Sequence, residues 1–346
     1  MSKSVLLATA LLALAAVPAA SARNVHLRGT AYEFNNVHVL LAGATIRVAE
    51  RPQLKTTVGP DGTYDLAVPD RARITPYIVA AGHHTIYLQT FRTDGEDLAN
   101  VNFQTPSDPV YGALVALLGV PVDAAGNPQR CAIVSTFSTR DVRDLGFAGF
   151  IGYGAHGVAG ARATATPSLP APIYFSASVI PDPSQPFSSE DGGVLWTNVA
   201  NGVYTIHARK PGTRFASFLA TCRRGRIVNA NPPWGLHELG LRNRARVSAT
   251  WRVSGARFSL RSLRATHLPA GSRVRASCAG PGCRFRSTSD LSRATGALRA
   301  GQTLSVRVLA HRYDGALWRW RLVAGKRPQA TRLCIPLGDR APRARC

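Results

Sequence analysis

The six cysteines are the residues whose type and spacing point most directly to chemistry, because cysteine can form disulfides, bind zinc or act as a nucleophile. Two lie in the middle of the chain and four in its last third. Pairing within each region predicts the disulfides Cys131–Cys222, Cys278–Cys283 and Cys334–Cys346. A zinc site would need two close ligand pairs of the Cys-x2-Cys kind. Since Cys278 and Cys283 have four residues between them, the spacing favours disulfides over zinc.

Motifs of the common enzyme classes are missing from the sequence. It contains no Gly-x-Ser-x-Gly elbow, Walker loop, His-Glu-x2-His pair or EF-hand loop. His83 and His84 are adjacent, and adjacent residues on a strand point to opposite faces, so a surface turn is favoured over a shared ion. The acidic residues Asp94, Glu96 and Asp97 fit no known calcium loop and indicate a solvated turn. We therefore predict no catalytic residue, no metal and no cofactor.

Two tryptophans are candidates for stacking on a sugar ring. Trp196 follows two glycines, and Trp234 follows a stiff segment that contains two asparagines and two prolines. For Trp234 we favour packing at a junction between domains, because Leu236 and Leu239 follow it. Trp196 is equally open to a sugar-stacking or a packing role.

A third group of candidates, Trp318, Arg319 and Trp320, places a cation between two aromatic rings. Alternating basic and aromatic residues are typical of surfaces that bind polyanions. The net charge of +23 supports this interpretation. From residue 243 onward the chain has 22 basic and 3 acidic residues, against 20 and 16 before it. Nearly all the cations are arginine, which codon usage explains as readily as guanidinium chemistry, and arginine on the wet face of a sandwich explains the pattern equally well.

The amino-terminal residues 1–22 have the pattern of a secretory signal peptide: a basic start, about a dozen apolar residues and a small-x-small end at Ala20 to Ala22. The apolar run is too short for a membrane span, which needs about 20 residues. We therefore expect an exported protein in an oxidising compartment. Export argues against a nucleic acid partner.

These candidates must be positioned by β-structure, because short β-branched or aromatic runs alternate with Gly, Pro, Asn and Asp clusters from Val25 to Thr250. The predicted fold class is all-β, with tandem Ig-like or transthyretin-like β-sandwiches. The predicted domains are residues 23–106, 107–240 and 241–346. A single linking helix is expected where Asp108 caps it, Pro109 begins it and Gly119 ends it, with Val110, Ala113, Leu114, Leu117 and Leu118 on its apolar face.

An internal repeat relates the first two domains. Leu41-Ala42-Gly43-Ala44 is echoed by Val158-Ala159-Gly160-Ala161, and the Asp61-Gly62 turn by Asp191-Gly192. The second copy has a longer gap between the two motifs. We therefore expect two related sandwiches, with an insertion in the second.

The segment from Gly43 to His83, with its Gly-Ala strand, Asp-Gly-x-Tyr turn, Val-Pro strand end and Ala-Gly-His, resembles the carboxypeptidase regulatory-like domain, a transthyretin-like sandwich. Residues 156–208 resemble it more weakly. The Cys-x-Gly-x-Gly-Cys loop at Cys278–Cys283 resembles a basic module recurrent in secreted proteins of actinobacterial type. The carboxypeptidase regulatory-like resemblance implies an accessory, adhesive or carbohydrate-contacting role.

Intradiol dioxygenases are similar in fold and hold iron with two tyrosines and two histidines. Tyr153, His156, Tyr174 and His207 are of these types, but the close His-x-His pair of that family is absent. The expected function is that of a secreted, non-enzymatic, structural or adhesive protein of the cell envelope. Its basic last domain would contact an anionic surface polymer or polysaccharide, and the same charge permits peripheral contact with a membrane. The alternatives are a carbohydrate-binding protein that uses Trp196 and Trp234, and an enzyme of unknown kind.

Overall fold

The computed structural model of the chain describes residues 23–154, 156–344 and 346, so the predicted signal peptide lies outside the described residues. The described part is mostly β-strand, as the predicted all-β class requires. We use the predicted ranges 23–106, 107–240 and 241–346 as the first, second and third regions. Neither α-helix of the described residues is long and apolar enough to cross a bilayer.

The first region consists of ten strands around an apolar core that includes Leu27, Ile46, Ile78 and Phe103. Residues alternate between buried and exposed along β5, as a strand with one face on a core requires. The strands are β1 Asn24–Glu33, β2 Asn36–Leu40, β3 Thr45–Val48, β4 Arg51–Thr57, β5 Thr63–Pro69, β6 Arg73–Ile74, β7 Pro76–Val79, β8 Ile86–Tyr87, β9 Phe91–Arg92 and β10 Phe103–Thr105.

The second region has a separate core, with Ile133, Phe137, Ile206 and Leu236 among its buried residues. Its strands are β11 Cys131–Thr136, β12 Arg162–Thr166, β13 Ile173–Phe175, β14 Pro181–Asp182, β15 Gly193–Val199, β16 Gly202–Arg209, β17 Arg214–Phe215, β18 Phe218–Cys222, β19 Ile227–Ala230 and β20 Glu238–Leu239. A 3-10 helix covers Arg140–Asp144.

A nine-stranded sheet in the order β14-β13-β15-β11-β19-β8-β7-β3-β4 runs through both regions. The two halves meet where β19 pairs in parallel with β8, with Val228 opposite Tyr87. The first two regions therefore have their own cores but share one sheet, and the position 106/107 does not separate two independent sheets.

The internal repeat is visible in identical backbone hydrogen bonds. The amide of Gly43 donates to Val58 and that of Val58 to Ala44, while the amide of Gly160 donates to Ser188 and that of Ser188 to Ala161. Each copy then has an aspartate turn: the amide of Thr63 donates to Asp61, and the amide of Gly193 donates to Asp191. The glycine after each aspartate has a positive φ, +75° at Gly62 and +80° at Gly192. The stretch between the equivalent positions is longer in the second copy, which is the predicted insertion.

The predicted helix is present as α1 Asp108–Leu118, and Gly119 ends it in the left-handed conformation. Its N-cap is Ser107 rather than Asp108. Its partly buried face consists of Tyr111, Leu114, Val115 and Leu118, together with Val110, while Leu117 and Ala113 are exposed. A second, shorter helix that the sequence analysis missed, α2 Phe147–Tyr153, packs Phe147 against Tyr32 with 5.0 Å between ring centroids.

The third region is a sandwich of a three-stranded sheet, β21-β22-β25, and a five-stranded sheet, β24-β23-β26-β27-β28. Its core contains Phe258 and Leu260 from one sheet and Val306 and Trp318 from the other. The strands are β21 Arg246–Ser254, β22 Arg257–Thr266, β23 Arg273–Ala279, β24 Ser287–Thr288, β25 Gly296–Arg299, β26 Thr303–Leu309, β27 Gly315–Arg321 and β28 Ala330–Ile335, with a 3-10 helix at Leu291–Ala294.

Candidate anion-binding surface

Strand β27 separates the predicted binding residues onto two faces. Because side chains alternate along a strand, Trp318 and Trp320 point into the core, where they are 5% and 3% exposed, while Arg319 and Arg321 point outward. The prediction that the two tryptophans contact a ligand is therefore wrong, since their rings are buried in the core of the third region. Arg319 is the residue of that triplet that stays available.

The outer face of the five-stranded sheet is basic over several strands. Arg273 and Arg275 on β23 and Arg307 on β26 are exposed, and Arg275 lies directly opposite Arg307. Like charges in opposite positions on neighbouring strands destabilise a sheet. An anion bound between them would relieve that repulsion.

A basic cleft lies where the third region meets the second. Asn243 and Ala245 are buried, so the alternating residues Arg242, Arg244 and Arg246 project outward. Together with Arg332 they line a cavity of about 710 Å³. We call this cavity the junction cleft. With Arg214, which also lines it, five arginines border this one space.

Arg332 is held in position at the cleft by two contacts. Its Nη2 donates to the carbonyl of Asn243 at 2.7 Å, and its guanidinium carbon lies 5.5 Å from the centroid of the Trp318 ring. A guanidinium over an aromatic face is attracted by the ring quadrupole. Trp318 thus supports the basic surface from below, without contacting a ligand itself.

A second basic groove, of about 760 Å³, runs over the outer face of β27 and β28. Its cations are Arg319, Arg321, Lys326 and Arg327, and Gln329 and Thr331 add hydrogen-bonding groups. Leu333 is among the lining residues of both the groove and the junction cleft. Arg332 lies opposite Trp318 and so on the core side of β28, whereas Thr331 lies opposite Arg319 on the outer side, so the two depressions flank β28. Of the nine cations that line them, Arg214 is paired with Asp314. We call the other eight the basic track: Arg242, Arg244, Arg246, Arg332, Arg319, Arg321, Lys326 and Arg327.

Acidic residues do not neutralise the basic track. Asp314 borders the junction cleft, but it is paired with Arg214 at 2.7 Å. The other two acids of the third region, Asp290 and Asp339, lie within 4 Å of Arg293 and Arg343. Among the side chains that the structure describes, no ion pair involves a cation of the track.

The other two candidate tryptophans, Trp196 and Trp234, are also packed rather than free. Trp196 is 3% exposed in the core of the second region, and its Nε1 donates to the carbonyl of Pro170 at 2.9 Å. The prediction of a ligand contact at Trp196 is wrong for that reason. Trp234 packs edge-on against Phe91 and its Nε1 donates to the carbonyl of Ala99 at 3.1 Å, so it lies at the junction of the first two regions.

The segment that contains Trp234 joins these two regions by hydrogen bonds. The side-chain amide of Asn229 donates to the carbonyl of Gln104, and that of Asn231 donates to the carbonyl of Asn102. The amide of Gly235 donates to Oε1 of Gln89. The asparagines of this segment therefore help to hold the first two regions together.

All three disulfides join the cysteines that the sequence analysis paired. Their Cα–Cα distances are 5.5 Å for Cys131–Cys222, 5.8 Å for Cys278–Cys283 and 5.7 Å for Cys334–Cys346. Among the described residues, one group of His, Cys, Asp and Glu side chains is close enough to share an ion, namely Asp314, Cys334 and Cys346. Two of its members are joined in a disulfide, so they have no thiolate to offer a metal.

The adjacent histidines differ from the predicted surface turn. His84 is buried and stacks on Tyr111 with 3.7 Å between ring centroids. Burial lowers the pKa of the His84 imidazole, and the nearby Asp108 and Asp123 carboxylates partly oppose this effect. His84 is thus a neutral packing residue at the base of α1.

Arginines 242, 244 and 246 were missed as site residues by the sequence analysis, although their alternation in Leu241-Arg242-Asn243-Arg244-Ala245-Arg246 is readable. The signal was a strand-like period of two at the start of the third region. What the sequence does not show is that Arg332, far along the chain, lies across the same cleft.

No protein-family model and no curated protein sequence matches this chain. Among solved structures, the chain is similar to the Bacillus anthracis TIE protein, with 10% identity, 89% of this chain and 48% of that chain covered, and a TM-score of 0.19. It is also similar to a streptococcal ancillary pilin, with 9% identity, coverage of 90% and 95%, and a TM-score of 0.21. A shaft pilin of Lactobacillus rhamnosus GG has 10% identity, coverage of 63% and 100%, and a TM-score of 0.18.

The chain spans about half the length of the TIE protein. Scores this low carry no argument about function or detailed topology. The all-β class stands on the strand pairing of the chain itself. The carboxypeptidase regulatory-like resemblance has no match among the family models.

Proposed function

We propose that this chain is a non-enzymatic, structural or adhesive protein outside the cell, and that its third region binds a linear anionic polymer of the cell envelope along the basic track. The observation that supports this most directly is that the junction cleft and the outer groove, which flank β28, together carry the eight cations of the basic track. Cations spread over two neighbouring depressions suit an extended chain of negative groups better than a compact ion.

The chemistry of the track suits carboxylate or phosphate groups. Seven of its eight cations are arginines, whose planar guanidinium donates two parallel hydrogen bonds to such groups. Binding would release counterions from the polymer, so the affinity would come chiefly from charge and would fall steeply with salt. Three disulfides fit an oxidising compartment.

The alternative of carbohydrate stacking is not supported, because the two tryptophans that would stack on a sugar are packed within the protein. Trp196 is in the core, and both an aromatic neighbour and a backbone carbonyl hold Trp234. A neutral sugar would need an exposed aromatic platform, which these two residues do not supply.

Titration of the full chain with polyphosphate of defined length and with alginate, at several NaCl concentrations, tests the proposal. We expect saturable binding whose log affinity falls linearly with log salt, and tighter binding of long polyphosphate than of tripolyphosphate. Neutral dextran serves as the control. Equal affinity for tripolyphosphate and the long chain, or no binding to either polyanion at low salt, would contradict a linear polyanion site.

A further inference from the structure

An apolar cavity lies far from the basic track, between α1 and the nine-stranded sheet. Its roof is the partly buried face of α1, including Leu114 and Leu118. Its floor consists of side chains from four neighbouring strands, with Leu195 on β15, Val134 on β11 and Ile227 on β19, and Ile86 on β8.

The floor exists because these strands are apolar on both faces. In β11, Ile133 points into the core of the second region while Ala132 and Val134 point toward α1. In β15, Trp196 points into that core while Leu195 and Thr197 point toward α1. The face beneath α1 is therefore a second hydrophobic surface, and the helix covers it at the seam of the first two regions.

The helix does not fill the space that it covers. No residue of α1 is fully buried, and a cavity of about 100 Å³ remains beneath it. Such a volume equals roughly three water molecules in the liquid. Because interiors otherwise pack densely, an unfilled space of this size loses dispersion contacts that a ligand would restore.

Polar groups around the cavity do not favour water as the occupant. The hydroxyl of Tyr111 donates to the carbonyl of Gly126 at 2.9 Å, and the side-chain amide of Asn229 donates to the carbonyl of Gln104 at 3.3 Å. Each of these side chains thus already donates a hydrogen bond within the protein. Most of the remaining lining residues are apolar, and an apolar space of this kind accepts hydrocarbon.

The cavity is also accessible from outside. Phe34, Leu118 and Thr197, which line it, are partly exposed, so the space reaches solvent at one side. A space that is narrow, apolar and open at one side fits the end of a hydrocarbon chain whose polar head remains in water. Thr197 adds one hydroxyl among the lining residues.

We propose that the cavity beneath α1 binds the terminal carbons of an acyl or alkyl chain. This site is independent of the basic track and of anion binding. The chain end would lie between the Leu114 roof and the Val134 and Ile227 floor, and the head group would remain in solvent.

Neutral probes test the site, since a fatty acid anion would also be attracted by the arginines of the third region. Benzene and monomeric octyl glucoside are titrated into the full chain and followed by saturation-transfer NMR. We expect saturable binding of both and displacement of benzene by octyl glucoside. Absence of saturable benzene binding overturns the site, and benzene binding without competition by octyl glucoside overturns the alkyl-chain assignment.

Two substitutions on α1 locate the binding. Leu114→Phe adds atoms to the roof of the cavity, whereas Leu117→Phe makes the same change at a side chain that is 60% exposed. Leu114→Phe is expected to weaken both probes at least tenfold, and Leu117→Phe to leave them unchanged. Ala132→Leu fills the space from the floor and serves as the second blocking variant if Leu114→Phe does not fold. Unchanged affinity in a folded blocking variant contradicts the proposal.

Discussion

Arg214 and Asp314 form an ion pair across the boundary between the second and third regions, with Nη1 of the arginine 2.7 Å from Oδ2 of the aspartate. The Asp314 side chain is only 6% exposed, and its Oδ1 accepts a hydrogen bond from the amide of Leu337 at 3.1 Å. Arg214 also donates to the carbonyl of Gly240. The pair therefore holds the third region in place and orients one wall of the junction cleft.

Breaking this pair from one side should destabilise the protein. Arg214→Met leaves a buried carboxylate without its cation, and we expect the free energy of unfolding to fall by about 3 kcal/mol. The double variant Arg214→Met with Asp314→Leu removes both charges, so it should recover most of that loss. Chemical denaturation of the three proteins measures the effect.

A matched control is the exposed pair of Arg293 and Asp290, whose side chains are 81% and 54% exposed. Arg293→Met should change the free energy of unfolding by less than about 1 kcal/mol, because water screens such pairs. A comparable loss in both single variants would mean that burial is not the reason for the stability of the Arg214–Asp314 pair.

Removing one cation of the basic track should weaken polyanion binding and reduce its salt dependence. Arg321→Ser is expected to lower the slope of log affinity against log salt by about 0.7 to 0.9, the value for one lost phosphate contact. Arg264→Ser removes the same charge from the outer face of the other sheet. It should leave the slope nearly unchanged, and equal effects of the two variants would indicate a diffuse field rather than a track.

Local chemistry in the sequence predicted much of this structure. The Asp61-Gly62 and Asp191-Gly192 turns form because an aspartate side chain bonds to the backbone two residues on and glycine tolerates a positive φ. The helix at residues 108–118 follows from its proline near the start and its glycine at the end. The cysteine pairing followed from the distribution of cysteines between regions.

Long-range placement could not be predicted in the same way. The pairing of β19 with β8 brings Val228 beside Tyr87, although no local pattern in either strand specifies that partner. The same applies to the approach of Arg332 to Asn243. The role of Trp318 was misjudged because a tryptophan beside arginines has the same pattern in a polyanion site and in a sandwich whose outer face is basic.

The disulfides should differ in their contribution to stability. In the chain-entropy model, Cys131–Cys222, with a sequence separation of 91, contributes about 4 to 5 kcal/mol, and Cys278–Cys283, with a separation of 5, about 2 kcal/mol. We expect the double alanine variant of the first pair to lose at least twice as much free energy of unfolding as that of the second. Denaturant titrations measure both losses, provided that the dependence of the unfolding free energy on denaturant concentration is the same in all variants. A larger loss for the Cys278–Cys283 pair than for the Cys131–Cys222 pair would exclude loop closure as the main effect.

Acid should destabilise the protein through His84. Burial lowers the pKa of this imidazole in the folded state below its usual value of about 6.5, so the unfolded chain binds the proton more tightly. Stability is therefore fully present above about pH 6.5 and declines as the pH falls toward the folded-state pKa. The slope from one such group is at most about 1.4 kcal/mol per pH unit. Burial also lowers the pKa of His156, which adds to the same decline.

His84→Phe isolates the contribution of His84, because phenylalanine retains an aromatic ring to stack on Tyr111 but carries no titratable group. Denaturant unfolding at intervals from pH 7.5 to 5 should give a shallower decline in the variant, with the part due to His156 remaining. His267→Phe, at a histidine that is exposed, is the control and should keep the full slope. If His84→Phe retained the full pH dependence, the His84 imidazole would bind a proton as tightly in the folded protein as in the unfolded chain. Its burial against Tyr111 would then make no contribution to the pH dependence of stability.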